Sequence, residues 1–153
     1  MKKKEEICII VDSREQLPYE YTNSVRERLP TGDYSAKGYE SEIVIERKTK
    51  NDIYGSLGKG RERFEQECER MLTYKYRAII IESDLDTLLQ PPLNTKMNPK
   101  VIINTLISWS IKYDIHVYFC SNRRLGRAMV LRILEQYVRH NPKDVTQKEL
   151  QFN

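Results

Sequence analysis

The sequence predicts an α/β domain with a central mixed sheet flanked by helices. Three observations predict it. Apolar runs of strand length recur at residues 7–11, 42–47, 77–82 and 115–120. Longer segments, at 61–76, 98–113 and 125–137, space their apolar residues at helical intervals. Glycine, proline and asparagine punctuate the boundaries between the two kinds of segment.

Residues 7–11 suit a central strand that delivers Asp12, Arg14 and Glu15 to its C-terminal end, where sites in α/β sheets tend to form. A polar connector follows, with Pro18 and Pro30 as punctuation and residues 24–28 as one or two helical turns. Residues 33–36 and 42–47 read as a hairpin around Lys37, Gly38, Tyr39 and Glu40. Asn51 then caps a short helix containing Asp52 and Tyr54, and Gly55, Gly58 and Gly60 mark a break. The helix over 61–76 buries Phe64, Cys68, Met71 and Leu72. After the strand ending at Glu82, residues 83–86 form a cap and a short helix, and 91–96 a surface loop.

Asn98 and Pro99 form an N-cap and first-turn pair for a helix to about residue 113, with Ile102, Ile103, Leu106, Ile107 and Ile111 on its apolar face. Trp109 either extends that face or anchors an interface. Residues 115–120 are a last strand with His116 on its outer face, and the closing helix buries Met129, Val130, Ile133, Leu134 and Tyr137. Residues 142–153 read as a frayed tail after a domain spanning 1–141.

A chain of 153 residues is one domain, long enough to bury about two thirds of its unfolded surface. With 39% hydrophobic and 31% charged residues it is neither disordered nor membranous. The basic start at Lys2, Lys3 and Lys4 precedes an apolar run too short for a secretory core, and no spanning segment follows. Cys8, Cys68 and Cys120 are odd in number and widely spaced, which predicts buried free thiols in a reducing intracellular compartment.

Glu46-Arg47-Lys48 carries the chemistry. On a strand, side chains alternate, so Glu46 and Lys48 share a face and aim a carboxylate and an ammonium into one site. With Asp33 at the end of a neighbouring strand, Asp33 and Glu46 supply hard oxygen ligands for Mg²⁺ or Mn²⁺, with the Arg47 carbonyl as a further ligand. Lys48 orients the attacking water or adds positive charge near the transition state. A glutamate and a lysine two apart also occur on solvated edge strands, so this triplet alone decides little.

Further pieces stand in order around it. Val11-Asp12-Ser13-Arg14-Glu15, Leu29-Pro30-Thr31-Gly32-Asp33-Tyr34, Ile45-Glu46-Arg47-Lys48-Thr49 and Asp52 together resemble the signature of XPF-type structure-specific DNA endonucleases. The resemblance runs through Ser56, the Arg61 to Gln66 stretch and the strand ending at Glu82. It implies a restriction-endonuclease-like fold and divalent-metal hydrolysis of DNA, with branched or junction-containing DNA as substrate. It also implies an arginine and a glutamine supporting the edge of the active site, for which Arg63 with Gln66 fits better than Arg61. Asp12 and Glu15 then hold a second metal or orient the first through waters, and Asp52 fixes Arg47 or Lys48. Family members pair through this domain, which leaves a homodimer open. The tandem helix-hairpin-helix domain that usually accompanies it has no counterpart in these residues.

The formal charge of +4 is unevenly placed: residues 122–153 hold seven basic against three acidic side chains, and the preceding residues balance. Arg123, Arg124 and Arg127 cluster at a helix start, where positive charge opposes the dipole, so a phosphate or an acidic partner is expected there. Arg14 is a further phosphate candidate, and Tyr34 and Tyr54 are near enough to touch a nucleotide. Two histidines cannot build a histidine-rich metal site, and the glycines lack the ending of a P-loop. A catalytically inert DNA-binding partner of an active nuclease, and a sequence-specific nuclease, are the rival readings.

Overall fold

The computed structural model describes residues 7–143. Six strands form one mixed sheet in the order β2-β1-β3-β4-β5-β6. They are β1 (Ile9–Asp12), β2 (Ser24–Glu27), β3 (Tyr34–Ala36), β4 (Ile43–Thr49), β5 (Tyr76–Glu82) and β6 (His116–Phe119). β1 runs parallel to β2 and antiparallel to β3, β3 pairs antiparallel with β4, and β4, β5 and β6 are mutually parallel neighbours. The helices are α1 (Lys50–Leu57), α2 (Arg61–Met71), α3 (Leu85–Leu88), α4 (Pro99–Lys112) and α5 (Arg123–His140).

Alternation along β4 and β5 divides the core in two. Val44, Ile79 and Ile81 face α1, α2 and α4, while Ile43, Ile45, Ala78 and Ile80 face α5. The same alternation sends Glu46 and Lys48 toward the α2 side and Arg47 toward the α5 side. β5 lies between two parallel neighbours and is apolar on both faces, as a doubly covered strand must be.

Several elements differ from the sequence expectation. Residues 24–27, read as helical turns, form the edge strand β2 paired with β1. An edge strand needs only one bonded side and tolerates an exposed, polar composition, so hydrophobic patterning cannot report it. The cap of α1 is Thr49 and not Asn51: its hydroxyl accepts the Asp52 N–H, and the Asp52 carboxylate accepts the Thr49 N–H, closing a capping box. α2 stops at Met71 because the Lys75 and Tyr76 N–H groups bond to the Glu42 carbonyl and begin β5, which leaves Leu72 exposed.

On α4, Ile102, Thr105, Leu106 and Trp109 are buried, whereas Ile107 and Ile111 are 52% and 77% exposed. Trp109 packs edge-on against Phe64 and so fixes the helix rotation, because the indole is the largest apolar group the helix can bury. α5 begins at Arg123, capped by Asn122. The three cysteines are free, Cys68 and Cys120 buried and Cys8 half-buried. The expected tail, and with it Asp144, Lys148 and Glu149, lies from residue 144 onward outside the described residues. Among the described residues, no helix is long and apolar enough to cross a membrane.

Candidate active site

β1, β3 and β4 meet where Asp12, Asp33 and Glu46 converge. The Asp12 N–H donates to the Asp33 carbonyl, the Asp33 N–H to the Ile45 carbonyl, and the Arg47 N–H to Asp33 Oδ2 at 2.8 Å. Gly32, at φ +79°, makes the turn into this position and lies against Val44. Asp33 and Glu46 thus line one cleft of about 350 Å³ with Asp12, Glu15 and Glu67, and with Arg14 and Arg70 at its walls. Lys48 Nζ lies 3.5 Å from Glu46 Oε1 and 4.6 Å from the centre of the Phe64 ring. It opens onto a neighbouring groove of about 400 Å³ lined by Asn51, Asp52, Ser56, Arg63 and Glu67.

Burial and crowding set the charge state of the two central carboxyls. Burial raises the Asp33 pKa to about 7, helped by the Glu15 and Glu67 charges and opposed by the Arg47 N–H. Burial and the neighbouring Asp33 charge raise Glu46 well above the ordinary range, with Lys48 opposing. Asp12 goes the other way. Burial alone would raise it, but hydrogen bonds from Arg14 and the Leu29 N–H outweigh that and leave it lowered.

The other acids and the two tyrosines singled out in the sequence find partners within the fold. Asp12 Oδ1 accepts the Leu29 N–H and Oδ2 accepts Arg14 Nε, so it holds the 12–29 segment in place. Glu15 pairs with Arg47 Nη1 at 3.5 Å. Asp52 touches neither Arg47 nor Lys48 through a hydrogen bond, since its carboxylate serves the α1 cap. Tyr34 and Tyr54, expected near enough to touch a nucleotide, are buried: the Tyr34 hydroxyl accepts the Tyr19 N–H and the Tyr54 hydroxyl donates to the Leu88 carbonyl.

The arginine expectations divide. Arg123 donates to the Leu17 and Pro18 carbonyls and covers the Tyr19 ring, and Arg127 donates to the Glu20 carbonyl and covers Tyr21. Both clamp residues 17–21 onto α5, which gives cations at this helix start a structural role. Arg124 is exposed. Arg61 covers Trp109 and donates to the Leu57 carbonyl, whereas Arg63 reaches the groove beside Lys48.

Sequence reasoning missed Glu82 and Glu67. Glu82 accepts from Arg47 Nε at 2.7 Å and Nη2 at 3.3 Å and takes the Tyr19 hydroxyl proton donor as well. The signal was present, because an acid that closes a buried apolar strand needs a cation. Glu67 borders both cleft and groove; a carboxylate one position from buried Cys68 on the helix facing the site was its only mark.

The donor set suits a small hard cation. Asp33 and Glu46 supply oxygens, and two buried oxygens of the cleft residues, Glu15 Oε2 and Thr31 Oγ1, have no hydrogen-bond partner. Among the described residues, no three His, Cys, Asp or Glu side chains form a metal cluster. The fit is therefore to an ion such as Mg²⁺ that takes one or two carboxylates and fills its shell with water.

The ERCC4 domain matches residues 11–129. The chain belongs to the ERCC4-domain family. Its structure is similar to that of XPF from Aeropyrum pernix, with a TM-score of 0.64 and 19% identity over 94% of this chain and 69% of that one. It is also similar to the same protein in complex with DNA, with a TM-score of 0.68 and 22% identity over 92% of this chain and 69% of that one. These likenesses show that this ERCC4-domain chain has the restriction-endonuclease-like fold found in XPF. A comparison with curated proteins finds no match. The ERCC4 family is a nuclease family, and endonuclease activity is what membership implies.

Proposed function

We propose that this ERCC4-domain protein is a divalent-metal-dependent endodeoxyribonuclease acting on branched or junction-containing DNA, such as flaps and forks. The observation that carries the reading is the placement of Asp33 and Glu46 in one cleft beside Lys48, with both carboxyls raised by burial and by neighbouring acidic charges. Asp33 and Glu46 would hold Mg²⁺ or Mn²⁺, together with the Arg47 carbonyl; a divalent ion there supplies charge that offsets the developing negative charge on the phosphate. Lys48 orients the attacking water and adds positive charge at the phosphoryl oxygens. Arg47 works from behind: its side chain is anchored to Glu82 and Glu15, and its N–H fixes Asp33. Arg124, exposed on α5, remains a candidate phosphate contact. A relative seen in complex with DNA supports the substrate class.

The test is cleavage of labelled flap, fork, single-stranded and plain duplex DNA by the protein and its Asp33→Asn variant, with and without Mg²⁺ or Mn²⁺. Metal-dependent cutting that the variant abolishes is the expected result. Binding without cutting under every condition would favour the inert partner instead.

Pairing of two copies is part of the proposal. α4 exposes Ile107 and Ile111, and edge strand β6 exposes Phe119. A monomeric mass at micromolar concentration would remove it. Free thiols at all three cysteines suit a reducing intracellular compartment.

A further inference from the structure

Arg63, Glu67 and Arg70 are spaced four and three residues apart on α2 and therefore share one helix face. That face borders the site along its whole length: Arg70 lines the acidic cleft, Arg63 lines the groove beyond Lys48, and Glu67 lines both. About 10 Å of helix axis separates the two arginines, given the usual rise per residue.

The arginines nearby differ in what their donors do. Arg14 spends its guanidinium on Asp12 and the Leu29 carbonyl, Arg47 on Glu82 and Glu15, and Arg61 on the Leu57 carbonyl. Arg63 and Arg70 make no hydrogen bond or ion pair with their side chains among the described residues. Placement in the last turn of α2 suits Arg70 to the helix dipole, yet that accounts for its charge and not for its position on the cleft wall. Five carboxylates line the same cleft and repel a polyanion, so a nucleic acid strand entering it needs uncommitted cations beside them.

We propose that this face of α2 grips the backbone of the cut strand on both sides of the reacting phosphodiester. Arg70 takes a phosphate at the Asp33 end and Arg63 takes a separate one at the Lys48 end. A guanidinium fork with free donors is the side chain best matched to a phosphodiester. Arg70 is new to the site, and the inference rests on the nuclease reading above.

Binding of labelled single-stranded and flap DNA, measured without divalent metal over a range of salt concentration, tests this apart from cleavage. The proteins compared are the wild type, Arg70→Ala, Arg63→Ala, the double variant, Arg70→Lys, and Arg139→Ala as an exposed control on α5. Each alanine variant is expected to reduce the slope of log affinity against log salt by about 0.7 to 0.9, and the double variant by about twice that. Arg70→Lys keeps the slope and loses part of the affinity, and Arg139→Ala matches the wild type. Wild-type slopes and affinities in Arg70→Ala would overturn the α2 contact while leaving the nuclease reading intact. Failure of the wild type to bind any DNA at low salt, both without a divalent ion and with Ca²⁺, would instead sink that reading itself, and the α2 contact with it.

Discussion

Gly32 precedes Asp33 at φ +79°, and a Cβ there would lie 2.1 Å from Val44 Cγ2. Gly38 has φ +88° but open space around its missing Cβ. The pair separates backbone strain from steric conflict. Gly38→Ala is expected to cost about 1–2 kcal/mol from the left-handed backbone alone. Gly32→Ala adds a clash in a packed core and is expected to cost about 2–5 kcal/mol in all, and to lose cleavage through displacement of Asp33. Urea denaturation of both variants checks the order. The raised carboxyls give a second residue-scale expectation. A carboxyl with a raised folded-state pKa contributes stability that is complete below its unfolded value of 3.8 and is lost as pH rises through its folded value, about 7 for Asp33. The metal-free protein should therefore melt lower at pH 8 than at pH 5.5, and Asp33→Asn should flatten that difference. Asp12, lowered, contributes the opposite slope below pH 4, outside this window.

At the scale of elements, α4 and the β4–β5 pair carry the tests. Trp109 lies in the core with Phe64 and Tyr113 around it, whereas Ile111 is exposed. Trp109→Ala is expected to destabilise by about 3–5 kcal/mol and Ile111→Ala by no more than about 0.5 kcal/mol. Equal effects in thermal melts would mean the helix is rotated from the position described. Glu82 ends β5 opposite Thr49 and lies diagonally across from Arg47 on β4, and both side chains of this pair are about 8% exposed. Glu82→Ala leaves a buried guanidinium with only Glu15, at an expected cost of about 3–5 kcal/mol. Glu82→Gln keeps the shape and one acceptor and should cost less while still lowering the cleavage rate, because Arg47 sets the position of the Asp33 carboxylate. A wild-type rate in Glu82→Gln would detach Arg47's anchoring from the chemistry.

For the whole molecule, the cleft concentrates negative charge at the meeting of β1, β3 and β4, so an ion that binds the folded state alone should stabilise it. Mg²⁺ at about one hundred times its dissociation constant is expected to add about 2.7 kcal/mol at pH 8. The rise should shrink toward pH 5.5, where protons compete for Asp33, and vanish in Asp33→Asn. Calorimetry with and without the ion measures it; an unchanged melting temperature at pH 8 would remove the cation from the site.

By itself the sequence determined what local chemistry determines. The Glu46-Arg47-Lys48 strand reads directly from its apolar run and its alternation, and the hairpin from Gly38 between two such runs. Asn98 with Pro99 marks the start of α4 at the residue observed. Tertiary structure alone decided partners. β2 became a strand because β1 offered it a free parallel edge, which no residue in 24–27 announces. Asp12 and Asp52 look alike as acids near the motif, but one secures a chain segment and the other caps a helix. Arg47 and Glu82 are 35 residues apart and meet only because β4 and β5 are aligned neighbours on one face. Burial, and hence the raised Asp33 and Glu46 carboxyls, depends on the same packing. Hydrogen-bond preference and side-chain period act over a few residues and leave a mark in sequence; charge pairing and desolvation act across the fold, and only the assembled sheet sets them.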